Sequence, residues 1–488
     1  MKTRKEKIHS VRYNFIMNFI LTASQFIFPL ITFPYVSRVL QAAGNGKLSF
    51  VASVSNYFIM IASLGIPTYG IRACAKVRDD KNNLSKTVQE IYLINLIMTV
   101  LATAIYIICI FSVSKFQADK NLFLIYGLNI VLNMFGMNWL FQALEQYDYI
   151  TFRSIAFKVI SLILMFFLVH QQEDYIIYGA ITVFAAVGSN ILNFIRAHQF
   201  VEFRGSGDYE IKKHIRPILV LFAQSLVISI YTNLDTVMLG FIKTDVDVGY
   251  YNAAVKIKMI LLSLVTSLGN VLLPRMTYYV KHNLQIEFKN TMLKALNFTV
   301  LMSVPLVTYF GIYAGESIDF LAGSGYAGAI LAMQFITIAV VPNGLTGVLG
   351  MQVLTALEKE KYVLYSVIAG AAVDFVLNLI FIPAYGAAGA ALSTMIAEFA
   401  VLLVQGIATK NLLKEMSSQF KLFIYLILSI IGGVACWPIK LLSLDSSFIK
   451  LLLSAFIFFG IYGVGLLITE EPVALEIINL CRNKLKRK

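Results

Sequence analysis

Leu93-Ile94-Asn95-Leu96-Ile97-Met98-Thr99-Val100-Leu101-Ala102-Thr103-Ala104-Ile105-Tyr106-Ile107-Ile108-Cys109-Ile110-Phe111-Ser112 carries no charged residue over the length of a bilayer. At a rise of about 1.5 Å per residue, roughly 20 mostly apolar residues cross the hydrocarbon core as one helix. Outward from this stretch the chain divides into fourteen such runs, at about 13–36, 46–66, 88–112, 121–143, 151–170, 175–198, 217–241, 249–273, 291–315, 327–353, 362–382, 387–409, 420–438 and 447–468. The fold expected is an all-α integral membrane protein with fourteen transmembrane helices.

Composition points the same way. The 488 residues are 58% hydrophobic and only 14% charged, where a soluble globule has roughly 25% charged residues; mean hydropathy is +0.75. A net charge of +13 would suggest nucleic acid in a soluble protein, but its distribution speaks for topology instead. With the N-terminus in the cytoplasm, only Arg38, Lys47, Lys115, Lys120, Lys243, Lys440 and Lys450 of the 40 Lys and Arg fall outside, and Lys256 and Lys258 lie within a span. The others, Arg153 and Lys158 among them, fall on the cytoplasmic side together with both termini. The basic start (Lys2, Arg4, Lys5, Lys7) leads into an apolar run with no small-residue cleavage site, so the first helix is expected to be retained. Cys74, Cys109, Cys436 and Cys481 are scattered and the histidines dispersed, so no disulfide framework, metal site or cofactor is expected.

Short motifs recur in order at nearly one spacing. Ser63-Leu64-Gly65 returns as Ser267-Leu268-Gly269, Ala143-Leu144-Glu145 as Ala356-Leu357-Glu358, and Tyr178-Gly179-Ala180 as Tyr385-Gly386-Ala387. The period covers six helices, an even number, so both copies would enter the membrane with the same orientation, a parallel repeat. The expected organisation is an N-lobe over 1–199 (helices 1 to 6), a cytoplasmic linker over 200–216 containing Gly205-Ser206-Gly207, a C-lobe over 217–409 (helices 7 to 12), and two further helices with a basic cytoplasmic tail over 410–488.

Polar residues are tolerated in lipid where they face protein or water, so their alignment at helical period is informative. Helix 1 carries Asn14, Asn18, Thr22 and Gln25; helix 2 carries Ser49, Ser53, Asn56 and Ser63. Helix 7 carries Ser225, Ser229, Thr232 and Thr236, and helix 8 carries Asn252, Lys256, Ser263, Ser267 and Asn270. One such stripe usually glues helices together. Four on corresponding helices favour a hydrated cavity between the lobes.

An ionised side chain at mid-membrane costs roughly 2.5–3.5 kcal/mol on insertion scales, so it needs a partner, water or a function. Lys256 lies on the helix 8 stripe, whereas Lys258 is about 200° away around the helix and is expected to snorkel or to pair elsewhere. Asp235 is a candidate to neutralise one of the two. Asp374 and Glu398 are candidate coupling acids, though binding polar partners between helices is the commoner role for such groups. Arg72 and Arg275 close helices 2 and 8 at the cytoplasmic end as anchors or gate residues. Arg38 sits at the outer end of helix 1, where the orientation rule does not ask for it, and with Lys256 it could attract phosphate. The candidate cavity set is therefore Lys256, Arg38, Asp235, Asn252, Asn18, Gln25, Asn56 and Asn270.

Two motifs look chemical and are expected not to be. Gly323-Ser324-Gly325-Tyr326-Ala327-Gly328 spells GxGxxG without a preceding strand, and Asp245-Val246-Asp247 resembles a metal-binding DxD in a short external loop. No P-loop, GxSxG or nucleophile with a nearby base occurs, and the loops are too short for a soluble catalytic domain.

Several segments resemble the bacterial polysaccharide repeat-unit flippases (Wzx-like, the polysaccharide transport branch of the superfamily that also holds the MATE drug exporters and the lipid II flippases). They are Pro34-Tyr35-Val36-Ser37-Arg38-Val39-Leu40 with Gly44 and Gly46; Trp139-Leu140-Phe141-Gln142-Ala143-Leu144-Glu145-Gln146-Tyr147; Asp235-Thr236-Val237-Met238-Leu239-Gly240 with Val248-Gly249-Tyr250-Tyr251-Asn252-Ala253-Ala254-Val255-Lys256; and Ile382-Pro383-Ala384-Tyr385-Gly386-Ala387-Ala388-Gly389-Ala390. The resemblance implies a MATE-like, two-lobed exporter of the bacterial cytoplasmic membrane, not an enzyme. It would flip undecaprenyl-diphosphate-linked oligosaccharide for capsule, exopolysaccharide or O-antigen synthesis by alternating access. The implied partners are the lipid-linked oligosaccharide, membrane lipids and a polysaccharide polymerase with its chain-length machinery, and no nucleic acid. Lys256 and Arg38 are the matching residues with a charge suited to the diphosphate. No Asp or Glu occurs between Tyr13 and Tyr35, where drug-exporting relatives commonly place a cation-binding acid. That departure weighs against the alternative of a cation-coupled multidrug antiporter. A membrane sugar polymerase or ligase, the third reading, would need a sizeable outer loop with catalytic groups.

Overall fold

The computed structural model describes residues 10–203, 208–267, 269–416, 419–442, 444–472 and 475. All regular elements among them are helices. Two compact units divide the chain, Met1–Phe241 and Ile242–Lys488. The first is built from α1 (Val11–Ser63), α2 (Ile66–Val77), α3 (Lys81–Ser112), α4 (Ser114–Ala118), α5 (Lys120–Gly136), α6 (Asn138–Ala143), α7 (Tyr147–Leu168), α8 (Tyr175–Val187), α9 (Asn190–Ala197) and α10 (Lys212–Ile242). The second contains α11 (Asp245–Val265), α12 (Gly269–Lys281), α13 (Gln285–Ile312), α14 (Ala314–Ala322), α15 (Ile330–Ile338) and α16 (Val340–Thr346), then a π-helical stretch Gly347–Leu354. It closes with α17 (Glu360–Tyr385), α18 (Ala387–Ala408), α19 (Lys410–Met416), α20 (Leu422–Leu441) and α21 (Ser447–Ile468).

Among the described residues, 13 helical segments are long and apolar enough to cross a membrane. Each of the fourteen expected runs overlaps one of them, and the first two share the segment Arg12–Val77. That segment is not one rod. Gln41 leaves helical geometry (φ 57°, ψ −178°), and the Asn45 side-chain amide reaches the Val36 carbonyl at 3.4 Å. Nine residues of unbroken helix would hold those groups about 13 Å apart, so the chain reverses at Gln41. Glu145 ties the start of α1 to the end of α2, accepting from Asn14 Nδ2 at 3.1 Å and from Arg78 Nη1 at 2.6 Å.

The helix faces are inverted relative to a soluble protein. On α17 the buried residues are Ser366, Gly370, Asp374, Asn378 and Ile382, one every four positions, while Phe375, Val376, Leu379 and Ile380 are exposed. On α3, Asn95, Thr99 and Tyr106 are buried whereas Ile97, Val100, Ile105 and Ile108 are exposed. Such faces suit hydrocarbon as the solvent and hydrogen bonds as the internal glue.

In the first unit, Phe50 packs edge-on against Phe123 and Phe241, with Phe116 beside them. Gly240 admits this ring, because a Cβ there would overlap it. α10, which opens the second sequence repeat, thus packs within the first unit. In the second unit, tyrosine hydroxyls fasten the last two helices to α13: Tyr309 donates to Leu451 O at 2.7 Å, Tyr313 to Cys436 O at 2.6 Å, and Tyr462 of α21 to Leu301 O at 2.8 Å. α17 turns into α18 at Gly386 (φ 54°), where a Cβ would overlap the Asp247 carboxylate.

Both decoy motifs are architectural. Asp247 completes a capping box with Thr244 at the start of α11, accepting from Thr244 Oγ1 at 2.7 Å. Gly323 (φ 95°) ends α14, Tyr326 of the following 3₁₀ turn is buried, and the Tyr250 ring lies over Gly328.

Candidate functional site

In the first unit the second half of α1 contacts α10 through polar groups, next to the stripe expected on α10. Asn56 Nδ2 donates to Asn233 Oδ1 at 3.4 Å, and Tyr57 Oη donates to Ile230 O at 3.5 Å. Asp235 and Thr236 follow on α10, both buried. Asn14 is spent on Glu145, Asn18 is exposed, and Gln25 lines a cavity among α1, α7 and α8. Arg38 is exposed at the Gln41 reversal, its guanidinium donating to Pro34 O at 2.6 Å. Arg72 on α2 and Arg275 on α12 are exposed as well.

In the second unit α11 carries Asn252, whose amide donates to Val248 O at 3.0 Å, and one turn later Lys256, which is half-buried. Lys258 faces elsewhere and is ion-paired, its Nζ 3.3 Å from Glu398 Oε1 on α18. The same oxygen accepts from Asn343 Nδ2 on α16 at 2.6 Å. Glu398 therefore ties three helices together. Asp374 and Asn378 lie one turn apart on the buried face of α17, and Tyr251 and Thr394 hydroxyls meet at 3.1 Å. Gly205-Ser206-Gly207 of the expected linker and the side chain of Asn270 lie outside the described residues.

Two charged groups escaped the sequence reading. Lys158, counted there as cytoplasmic, stands near the middle of α7, because that helix begins at Tyr147, ahead of the apolar run. Glu90 on α3 is fully buried and gathers three donors: His214 Nε2 at 2.7 Å, the Glu210 amide at 2.7 Å and Lys213 Nζ at 3.0 Å. Tyr69 Oη contacts His214 Nδ1 at 2.6 Å, so the hub joins α2, α3 and α10. A carboxylate inside a run expected to span the membrane was the available signal. Outside the spans, the Lys213 ammonium holds the exposed Glu210 carboxyl below the usual carboxylate range. The Glu145 carboxylate pushes the Arg78 guanidinium further up.

The chain matches the family described as polysaccharide biosynthesis protein over residues 11–280. A protein of Escherichia coli (strain K12) named as an O-antigen transporter is 24% identical over 410 residues, covering 82% of this chain and 97% of that one. One of the same name from Shigella dysenteriae is 22% identical, covering 80% and 98%. Among solved structures, lipid II flippase MurJ in an inward closed conformation superposes with a TM-score of 0.72 at 14% identity, over 92% of this chain and 98% of that one. The fold is thus MurJ-like. The chain belongs to the polysaccharide biosynthesis protein family.

Proposed function

We propose that this protein flips undecaprenyl-diphosphate-linked oligosaccharide repeat units across a bacterial cytoplasmic membrane, with both termini on the cytoplasmic side, and that it acts as a transporter without catalysis of its own. The observation that carries this reading is the match, over 97% of its length, to a protein named as an O-antigen transporter. The MurJ-like fold supports a lipid-linked sugar as cargo class. Intramembrane polar stripes and the cation Lys256, with Arg38, suit a diphosphate headgroup, and alternating access of two repeats is the mechanism that suits a duplicated module. Binding alone cannot drive net export, so a polymerase with its chain-length machinery, or an ion gradient, would bias the cycle.

The test is flipping of a labelled lipid-linked oligosaccharide in liposomes, with Lys256→Ala and Arg38→Ala beside the wild type. Wild type should flip the lipid, and each alanine should slow it about tenfold, the worth of one charge-assisted hydrogen bond. A wild type inert toward this lipid but able to expel small cationic dyes would replace the reading with a multidrug antiporter. Normal flipping by both variants would retain the function and discard the two residues.

A further inference from the structure

Lys158 sits near the centre of α7 (Tyr147–Leu168), a helix whose length of about 33 Å matches the hydrocarbon thickness. Its Nζ donates to Ser24 Oγ at 2.8 Å and stands 5.7 Å from the centre of the Phe28 ring. Among the described residues no carboxylate pairs with it. Lys258, the comparable cation of the second unit, is neutralised by Glu398; Lys158 is offered a hydroxyl and a ring face instead. An ammonium has three protons to donate, and the Ser24 hydroxyl takes one of them.

The cation opens onto a cavity of about 300 Å³ among α1, α7 and α8. Its polar wall includes Ser24, Gln25, Lys158, Ser161, Tyr178 and Thr182. Ser161 lies one turn beyond Lys158 on the same face, is 6% exposed, and its hydroxyl has no hydrogen-bond partner. Buried hydroxyls normally find one. The remaining wall is hydrocarbon, with Phe28, Leu162, Met165 and Ile181. A cation and hydroxyl donors in an otherwise apolar chamber match an anion that carries its own hydrocarbon.

We propose that this cavity is a phosphate-binding station within the first unit, where Lys158 Nζ and Ser161 Oγ donate to phosphate oxygens and the apolar wall receives the adjoining chain. The phosphate would come from a prenyl-linked substrate or from a free ion. The flippase reading bears only on that choice of source. A passing lipid diphosphate must cross mid-membrane, and Lys158 lies near the centre of a helix of spanning length.

The experiment uses the full-length chain in zwitterionic nanodiscs and follows alkylation of Ser161→Cys by mass spectrometry of its own peptide. Farnesyl diphosphate should protect the cysteine. Adding Lys158→Met should raise the protecting concentration about tenfold or more, whereas Lys158→Arg should stay within about threefold of the parent. Should Lys158→Met fail to give a monodisperse protein, Lys158→Gln supplies the same contrast. Protection by farnesol equal to that by farnesyl diphosphate, or no change on removing the Lys158 charge, would overturn the proposal. Inorganic diphosphate protecting as well as the prenyl form would assign the site to a free ion, and its failure to protect would assign it to a lipid phosphate. Flipping by the unmodified protein is scored separately. Flipping without site protection sinks the station alone, and protection without flipping sinks the flippase reading alone.

Discussion

Lys258 Nζ lies 3.3 Å from Glu398 Oε1, joining α11 to α18, and the Asn343 amide donates to the same oxygen. Both side chains are largely withdrawn from the surface, 11% and 4% exposed. Two charges that would each be costly in hydrocarbon are thereby made mutually tolerable.

Removing one partner should therefore cost more than removing both. Lys258→Met and Glu398→Gln are each expected to destabilise the protein by about 3–5 kcal/mol, because each strands a buried charge. The double variant should recover a large part of that loss. Thermal unfolding in detergent of the four proteins forms the double-mutant cycle, and additive losses would show that the two charges act independently.

At the Glu90 hub, Glu90→Gln should lower stability by about 3 kcal/mol, since the buried carboxylate accepts from His214, Lys213 and the Glu210 amide. Hydrogen exchange at the Glu210 amide reports this loss locally, and should speed up in the variant.

Glu210 has a distinct acid signature. Its carboxyl is held below the ordinary range by Lys213, so its contribution is present above the unfolded-state pKa and is lost as pH falls through the lower folded-state value. Melting temperatures of wild type and Glu210→Gln should differ at neutral pH and converge at strongly acidic pH. A difference that grew on acidification would reverse the sign of the linkage.

Gly386→Ala should destabilise by about 1–3 kcal/mol, because the position combines a left-handed φ of 54° with an Asp247 carboxylate where the Cβ would stand. Gly406→Ala is the control. That glycine is helical with nothing within 4 Å of a Cβ, so the change should be neutral or should stabilise by about 0.5–1 kcal/mol. Thermal melts of the two purified variants decide between these directions.

Motif recurrence proved uneven as a guide to local structure. Ala143-Leu144-Glu145 and Ala356-Leu357-Glu358 end their helices alike, with Glu145 at φ 57° and Glu358 at φ 56°. Each turn is closed by one long bond at 2.8 Å, Gln146 N to Phe141 O and Lys359 N to Leu354 O. Tyr178-Gly179-Ala180 and Tyr385-Gly386-Ala387 do not correspond, since Gly179 is inside α8 while Gly386 breaks α17 from α18. A helix terminator is a local hydrogen-bonding device that a tripeptide can carry. A glycine's role depends on which neighbour approaches it, and that neighbour comes from far along the chain.

Hydropathy by itself determined the all-helical membrane fold, because a lipid-spanning segment must satisfy its backbone internally and declare its length in apolar residues. Residue order also marked Lys256 and Lys258 as opposite faces of one helix, a consequence of helical period alone. Only the tertiary structure decided that Glu398 neutralises Lys258, that Lys158 stands near the middle of its helix beside an orphan hydroxyl, and that Glu90 anchors the start of α10. Those outcomes rest on distances of a few ångströms between helices remote in sequence, and charge pairing in a low-dielectric medium is set by such distances.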